Sequence, residues 1–315
     1  MEQIAVIEKA QSVFNEVRKA VVGKDDVLLW TLASILAGGH ILMEDIPGVG
    51  KTTMALAFSK ALGLTCNRMQ FNPDVLPSDV TGYSVPKGQS GEMTYKPGAV
   101  MCNLFLADEL NRATSRTQSA LLEAMEEGQV TVDGVTHTLP KPFVVLATQN
   151  PTGAAGTQLL PDSQMDRFAL RLSLGYPDPK NEAKMARDRQ GQNPLQQVRQ
   201  VLTAGELQGL QQQVADTFVS DAVIDYTVAL VGKTREDGRL LQGASPRATL
   251  AVLAVAKAVA RLRGRDYAVP KDVQEVFVNA VAHRLLLSHV AKGQGDSAKA
   301  ILKDILGQVP SPKLQ

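Results

Sequence analysis

The segment that most restricts this chain is Gly48-Val49-Gly50-Lys51-Thr52, which follows the apolar stretch His40–Glu44 and opens a helical pattern, Thr52–Leu62, closed by Gly63. A phosphate held by backbone N–H groups needs glycines for close approach, a helix N-terminus aimed at it, a Lys ammonium and a hydroxyl for Mg2+. All four occur here within five residues. A strand, a glycine loop and a helix in this order belong to a sheet of parallel strands covered by helices. The full eight-residue Walker A pattern asks for Gly where Asp45 stands, so the match is one position short.

Further strand candidates are Cys66–Phe71, Asn103–Ala107, Phe143–Thr148 and Ala169–Leu174, with helices Asp25–Ala37 and Ser115–Glu127 between them. The layout is α/β with a five-stranded parallel sheet. Two segments exceed it. Pro77–Ala99 is rich in Pro, Gly, Ser and Lys and too long for a routine connection, so it reads as an inserted hairpin or lid. Gln129–Leu139 reads as a second hairpin turning at Asp133-Gly134. After Tyr176-Pro177-Asp178-Pro179 only helical patterns remain: Asn181–Arg189, Ala204–Val214, Asp221–Glu236, Pro246–Arg263, Pro270–Ser288 and Ser297–Leu306. The expected domains are an α/β unit, 1–177, and an all-α unit, 178–315, with Val309–Gln315 a frayed tail.

Composition narrows the partners. Lys plus Arg is 33 against 32 Asp plus Glu, a net charge of +1, so bulk charge gives no pull toward nucleic acid or membrane. Aromatic residues make up 4%, too few for stacking platforms. Cys66 and Cys102 lack metal-ligand spacing and are expected buried and inert, as suits a reducing cytoplasm. His40, His137, His283 and His289 show no paired spacing, so zinc is not expected. Gly88-Gln89-Ser90-Gly91 lacks the spacing of a nucleophile elbow. No export signal is evident at Met1–Ala10. The uncharged run Val27–Met43 is interrupted by Gly38-Gly39-His40 and reads as a buried helix and a buried strand rather than a membrane span.

Four further constellations carry chemistry. Leu104–Ala107 ends in Asp108-Glu109, where one carboxylate can serve a hard cation and the next can polarise a water, although strand-end acids also act as helix caps. Asn150 follows Ala147-Thr148-Gln149 and could orient the same water, or form a turn before Pro151. Arg167, in Asp166-Arg167-Phe168, could neutralise a phosphoryl group in transfer, or pair with Asp166 or Asp162. Ser245-Pro246 caps a helix with Arg247 in its first turn, where a cation opposes the helix dipole and an anion would explain it.

Glu44–Thr52, Ala107–Ala113, Ala120–Glu127, Ala147–Pro151, Gln164–Phe168 and Ser245–Ala248 together strongly resemble the MoxR ATPases of the AAA+ superfamily, over roughly residues 22–282. In that family Asp at position 45 is common. The resemblance implies an AAA+ P-loop core with a helical lid, ATP and Mg2+ as ligands, and ATP hydrolysis that remodels or matures a protein client. Lys51 and Thr52 would hold phosphates and Mg2+, with Gly48, Val49, Gly50 and Thr53 in the same loop. Asp108 would ligate Mg2+ through water, Glu109 would position the attacking water, and Asn150 would resemble sensor 1. Arg167 would be an arginine finger on a neighbour's ATP and Arg247 would resemble sensor 2. Val22 and Gly23, in Val21–Lys24, would pack the adenine. Arg112 is a further candidate for a contact between subunits, or a local partner of Glu109 or Glu123. Both inserted hairpins would face a pore, the ring would be a hexamer, and a von Willebrand factor A domain protein would be the partner. A nucleic-acid translocase, a metal-chelatase motor and a scaffold that does not hydrolyse are the alternatives; the Val130–Leu139 hairpin carries no Lys or Arg, which argues against the first.

Overall fold

The computed structural model describes residues 2–46, 48–87, 92–150, 160–188 and 193–313, so Pro47, Gly88–Gly91, Pro151 and Arg189 lie outside the described residues. The chain begins with α1 (Glu2–Arg18), which has no counterpart among the elements expected from the sequence, and continues through α2 (Asp25–Leu36) into β1 (Ile41–Glu44). The uncharged run is therefore a helix and a strand. Among the described residues no helix is long and apolar enough to cross a membrane.

Next come α3 (Lys51–Ala61), β2 (Cys66–Gln70), α4 (Pro77–Thr81) and the hairpin β3 (Gly82–Lys87) and β4 (Glu92–Pro97). They are followed by β5 (Leu104–Asp108), α5 (Ser115–Glu127), the hairpin β6 (Gln129–Val132) and β7 (Val135–Thr138), then β8 (Val144–Gln149), α6 (Asp162–Met165) and β9 (Leu170–Leu172). The sheet is β2-β5-β8-β1-β9, parallel throughout. Its central strands read as unbroken apolar runs because helices cover both faces. The period of two sorts their side chains: Ile41, Met43, Leu104, Leu106, Val144 and Leu146 join one core. Leu42, Phe105, Ala107, Val145 and Ala147 join the other. β2 is an edge strand, and there Cys66 is half-buried rather than buried as the sequence suggests. Burial still pushes its thiol up, and that of Cys102 up to about 12, so neither is a ready thiolate.

Both insertions are hairpins, with β3 on β4 and β6 on β7, the latter turning through Asp133 at φ +49° and Gly134 at φ +79°. The hairpins lean on each other through Tyr95 and His137, whose rings stack at 3.7 Å and 11°.

The helical part holds α7 (Pro179–Asp188), α8 (Ala204–Ala215), α9 (Asp221–Glu236), β10 (Leu240–Gln242), α10 (Pro246–Leu262), α11 (Pro270–Val281), β11 (Leu286–Leu287), α12 (His289–Gly293) and α13 (Ala298–Gln308). One expected helix, Pro270–Ser288, ends early. The chain leaves it at Val281, makes a 3-10 turn over Ala282–Arg284 that buries His283 and Arg284, and pairs β11 with β10. The pull comes from the α/β part, since Arg284 donates to Asp166 Oδ1 (2.7 Å) and to the Phe168 carbonyl (2.7 Å). The core on the Ile41 face runs on into α8–α11 through Leu207, Val223, Val252, Val255 and Phe277.

Candidate functional site

Parallel strands deliver their C-terminal ends to one edge, so the segments following β1, β5 and β8 converge. There Gly48, Gly50, Lys51, Thr52, Thr53, Arg68, Gln70, Asp108, Glu109, Thr148, Gln149 and Asn150 line a cleft of about 370 Å3. Gly48 and Gly50 stand at φ +86° and +100°, and a Cβ on either would meet nothing within 4 Å. The glycines are thus required by backbone conformation, and the space over the loop is open to an anion.

The Lys51 ammonium folds back on its own loop, donating to the carbonyls of Asp45 (2.9 Å) and Ile46 (3.1 Å). Burial lowers its pKa, and the charges of Asp45, Asp108 and Glu109 oppose that shift. Asp45, the departure from the Walker pattern, is 4% exposed. Its carboxylate accepts from Ser173 Oγ (2.7 Å), the Leu174 N–H (2.6 Å) and the Gly175 N–H (2.9 Å). The acid at this position ties the start of the glycine loop to the chain leaving β9.

Thr148 organises the two carboxylates. Its Oγ1 donates to Asp108 Oδ1 (2.7 Å) and accepts from the Glu109 N–H (2.8 Å). Glu109 adopts φ +56°, a conformation that costs a non-glycine residue on the order of 1 kcal/mol and is stored at functional sites. Each acid also has an arginine: Arg68 Nη2 lies 2.8 Å from Asp108 Oδ2, and Arg112 Nη1 lies 2.9 Å from Glu109 Oε2. Of the readings open for Arg112, the structure has the local pair with Glu109. Asn150 lines the cleft, its carbonyl accepting from Asn111 Nδ2 (3.3 Å).

Among the described residues no three His, Cys, Asp or Glu side chains converge as a metal centre. Mg2+ at a phosphate needs less, one or two carboxylates with a hydroxyl, phosphate oxygens and water, and Thr52 and Asp108, both lining the cleft, supply such donors. The residues fit that ion. Val22 and Gly23 are not among the cleft-lining residues. Gly23, at φ +71°, packs so closely on Asn181 that a Cβ would fall 2.1 Å from its Nδ2, and Lys24 Nζ donates to the Tyr176 carbonyl (2.8 Å). That segment abuts the link between the α/β and helical parts.

Arg167 and Arg247 are brought together, but not here. Arg167 precedes the N-terminal end of β9, whereas the glycine loop leaves the C-terminal end of its parallel neighbour β1. The separation is on the order of 20 Å at about 3.3 Å per residue. Arg167 Nε donates to Glu126 Oε2 (2.9 Å), and Arg247 Nη2 pairs with Glu126 Oε1. Both line a cavity of about 230 Å3 with His40, Asp166, Leu250 and Arg284.

Sequence reasoning missed Arg68, Thr148 and Glu126. Thr148 and Glu126 lie inside the segments Ala147–Pro151 and Ala120–Glu127, but Arg68 is placed by the register that sets Gln70 beside Asp108. That pairing between strands distant in sequence left no local signal.

The family model for the "ATPase family associated with various cellular activities (AAA)" matches residues 40–170, and that for an AAA lid domain matches 232–305. The chain is 43% identical to the YeaC protein of Bacillus subtilis over 95% of this chain and 93% of that one. It is 38% identical to the chaperone MoxR1 of Mycobacterium tuberculosis over 98% of this chain and 84% of that one. A crystal structure from Cytophaga hutchinsonii, described as a candidate ATPase, superposes with a TM-score of 0.91 at 36% identity, covering 99% of this chain and 97% of that one.

Proposed function

Because the chain belongs to the MoxR family of AAA+ ATPases and hydrolyses ATP, we propose that it does so at the subunit interfaces of a hexameric ring, in the cytoplasm, to remodel, activate or mature a protein client. The observation that carries the ring is the separation of the two charged centres. Lys51, Asp108 and Glu109 lie at one end of the sheet, and Arg167 and Arg247 at the other, out of reach of the same chain's cleft. A cation pair so placed serves a phosphate only when a second copy supplies the cleft.

In this reading Gly48, Val49, Gly50, Lys51 and Thr53 cradle the phosphates, Val22 and Gly23 bound the adenine, and Thr52 and Asp108 hold Mg2+, which when bound neutralises phosphate charge. Glu109 accepts a hydrogen bond from the attacking water once Arg112 yields it, and Asn150 orients that water. Arg167 and Arg247 of one subunit meet the charge developing on the next subunit's γ-phosphate, in a reaction that needs positioning and electrostatics rather than covalent participation. The stacked hairpins, with Tyr83, Met93 and Val135 exposed, suit contact with an apolar client segment. A von Willebrand factor A domain partner follows from the MoxR resemblance. A translocase is disfavoured, since the β6–β7 hairpin offers no cation to a phosphate backbone.

The test is a pair of variants. Lys51→Ala is expected to abolish nucleotide binding. Glu109→Gln is expected to bind ATP while turnover falls by roughly 10²–10⁴-fold, the usual worth of a general base. Equal hydrolysis by wild type and Glu109→Gln would overturn the assignment.

A further inference from the structure

We infer that Glu126 is a positioning residue for hydrolysis in the neighbouring subunit: one carboxylate that holds Arg167 and Arg247 side by side for the phosphate of a second copy's ATP. The inference rests on the reading that these arginines act between subunits.

Three observations carry it. First, the carboxylate is divided between the two guanidinium groups, Oε2 on Arg167 Nε and Oε1 on Arg247 Nη2. Two neighbouring cations repel each other, and an acid between them offsets that while fixing both side chains. Second, the cluster separates structural from presented cations. Arg284, with 2% side-chain exposure, is committed to Asp166 and the Phe168 carbonyl. Asp166 also accepts from Ser245 Oγ (2.7 Å), the cap of α10, and so latches the helical part to the α/β part. Arg167 and Arg247 keep 26% and 49% exposure and stand at the surface. Third, Glu126 lies in the last turn of α5, whose first residue follows Glu109 by six positions, so a helix about 20 Å long at 1.5 Å per residue joins the Glu109 loop to the arginine face. The loop with the site of water activation and the group that presents arginines to the next cleft thus lie at opposite ends of one helix.

The test uses the full chain. Glu126→Gln keeps the shape and removes the charge. Its kcat is expected to fall about 10- to 100-fold, part of the 10³–10⁵ that a well-placed trans arginine contributes. Affinity for a fluorescent ATP analogue in its own cleft should stay within about two-fold, because Glu126 does not line that cleft. Mixing Glu126→Gln with an equal amount of Lys51→Ala, whose arginine face is intact and whose cleft is disabled, should raise turnover per Glu126→Gln subunit several-fold. A structural defect in the variant's own fold would not be rescued in this way. Glu126→Asp, which keeps the charge but shortens the reach, should lie between wild type and Glu126→Gln and serves if the first variant does not fold.

Wild-type kcat in Glu126→Gln, or a joint loss of affinity and kcat that mixing does not restore, overturns the inference. Arg167→Ala in the same mixture separates the two levels. Its rescue by Lys51→Ala alongside an unimpaired Glu126→Gln sinks the role of Glu126 alone. No rescue of Arg167→Ala sinks the action between subunits, and this inference with it.

Discussion

Replacing Asp45 by Gly would restore the Walker consensus and is expected to harm the protein. The carboxylate is 4% exposed and accepts three hydrogen bonds at 2.6–2.9 Å, from Ser173 Oγ and the N–H groups of Leu174 and Gly175. Bonds to a charged acceptor contribute about 1.5–3 kcal/mol each, but they are not additive, and removing the acid also removes its own desolvation cost. Its loss leaves a hydroxyl and two N–H groups without their acceptor, at about 1–3 kcal/mol for each that stays buried, so a net loss of about 3–5 kcal/mol is expected. For a chain of 315 residues this corresponds to a fall in Tm of about 5–10 °C, at the low end of the few degrees per kcal/mol that larger domains show. Thermal unfolding followed by circular dichroism reads it directly, with Asp45→Asn as the intermediate case, since its amide oxygen can still accept. A second readout concerns Lys51, whose depressed pKa is held up partly by the Asp45 charge. Nucleotide binding is expected to be lost at alkaline pH as Lys51 gives up its proton, and in Asp45→Asn that limb should move to lower pH. An Asp45→Gly protein melting within about 2 °C of wild type would refute the anchoring role.

Other outcomes follow from the same geometry. His40 accepts the Val145 N–H on Nδ1 (3.0 Å) and pairs Nε2 with the Met125 carbonyl (3.2 Å), and burial lowers its pKa from 6.5 to about 4. The unfolded chain therefore takes the proton first as pH falls, and stability is lost from pH 6.5 downward, by at most about 2 kcal/mol at pH 5; His40→Asn should flatten that slope in urea titrations, and an unchanged slope would exclude His40 as the source. Leu250 is 68% exposed and lines the same cavity as Arg167 and Arg247. Leu250→Asp is expected to reduce ATP-dependent assembly in light scattering while leaving the melting temperature unchanged, and assembly equal to wild type would place the subunit interface elsewhere. Gly50→Ala meets no neighbouring atom but must adopt φ +100°, so its effect is strain at the loop. Nucleotide affinity should fall by about 10-fold or more, in line with a strain of 1–3 kcal/mol, and binding at wild-type strength would show that the loop relaxes on binding phosphate.

Legibility in the sequence followed locality. The glycine loop, the acids at the end of β5 and Asn150 each sit within a few residues of the apolar strand that delivers them, so period and composition point to them as candidates, and the parallel sheet sets them on one edge. The hairpin at Asp133-Gly134 was readable for the same reason, because the turn is chemically encoded in two residues. The helix ending at Val281 was not: its apolar pattern continues, and what breaks it is the tertiary pull of Asp166 and the Phe168 carbonyl on Arg284. The role of Asp45 is invisible in the residues for a similar reason. Its partners, Ser173, Leu174 and Gly175, lie more than a hundred positions away and include two backbone N–H groups that carry no residue signature.

The arginine face marks the same boundary from the functional side. The residues that line the phosphate cleft sit at or near the end of a strand, and the parallel sheet sets those ends side by side. A residue that donates charge to another subunit has no such constraint; it needs only a rigid mount on the far end of the sheet. Here the mount is assembled from α5, the approach to β9 and the first turn of α10, bringing residues 126, 167 and 247 to one carboxylate. Taken alone in the sequence, Arg167 also reads as a partner of Asp166 or Asp162, and Arg247 as a solvated cation. Their meeting at Glu126 is the arrangement that the proposed role between subunits calls for: the neighbouring acid, Asp166, is committed to Ser245 and Arg284, and both arginines share the one carboxylate.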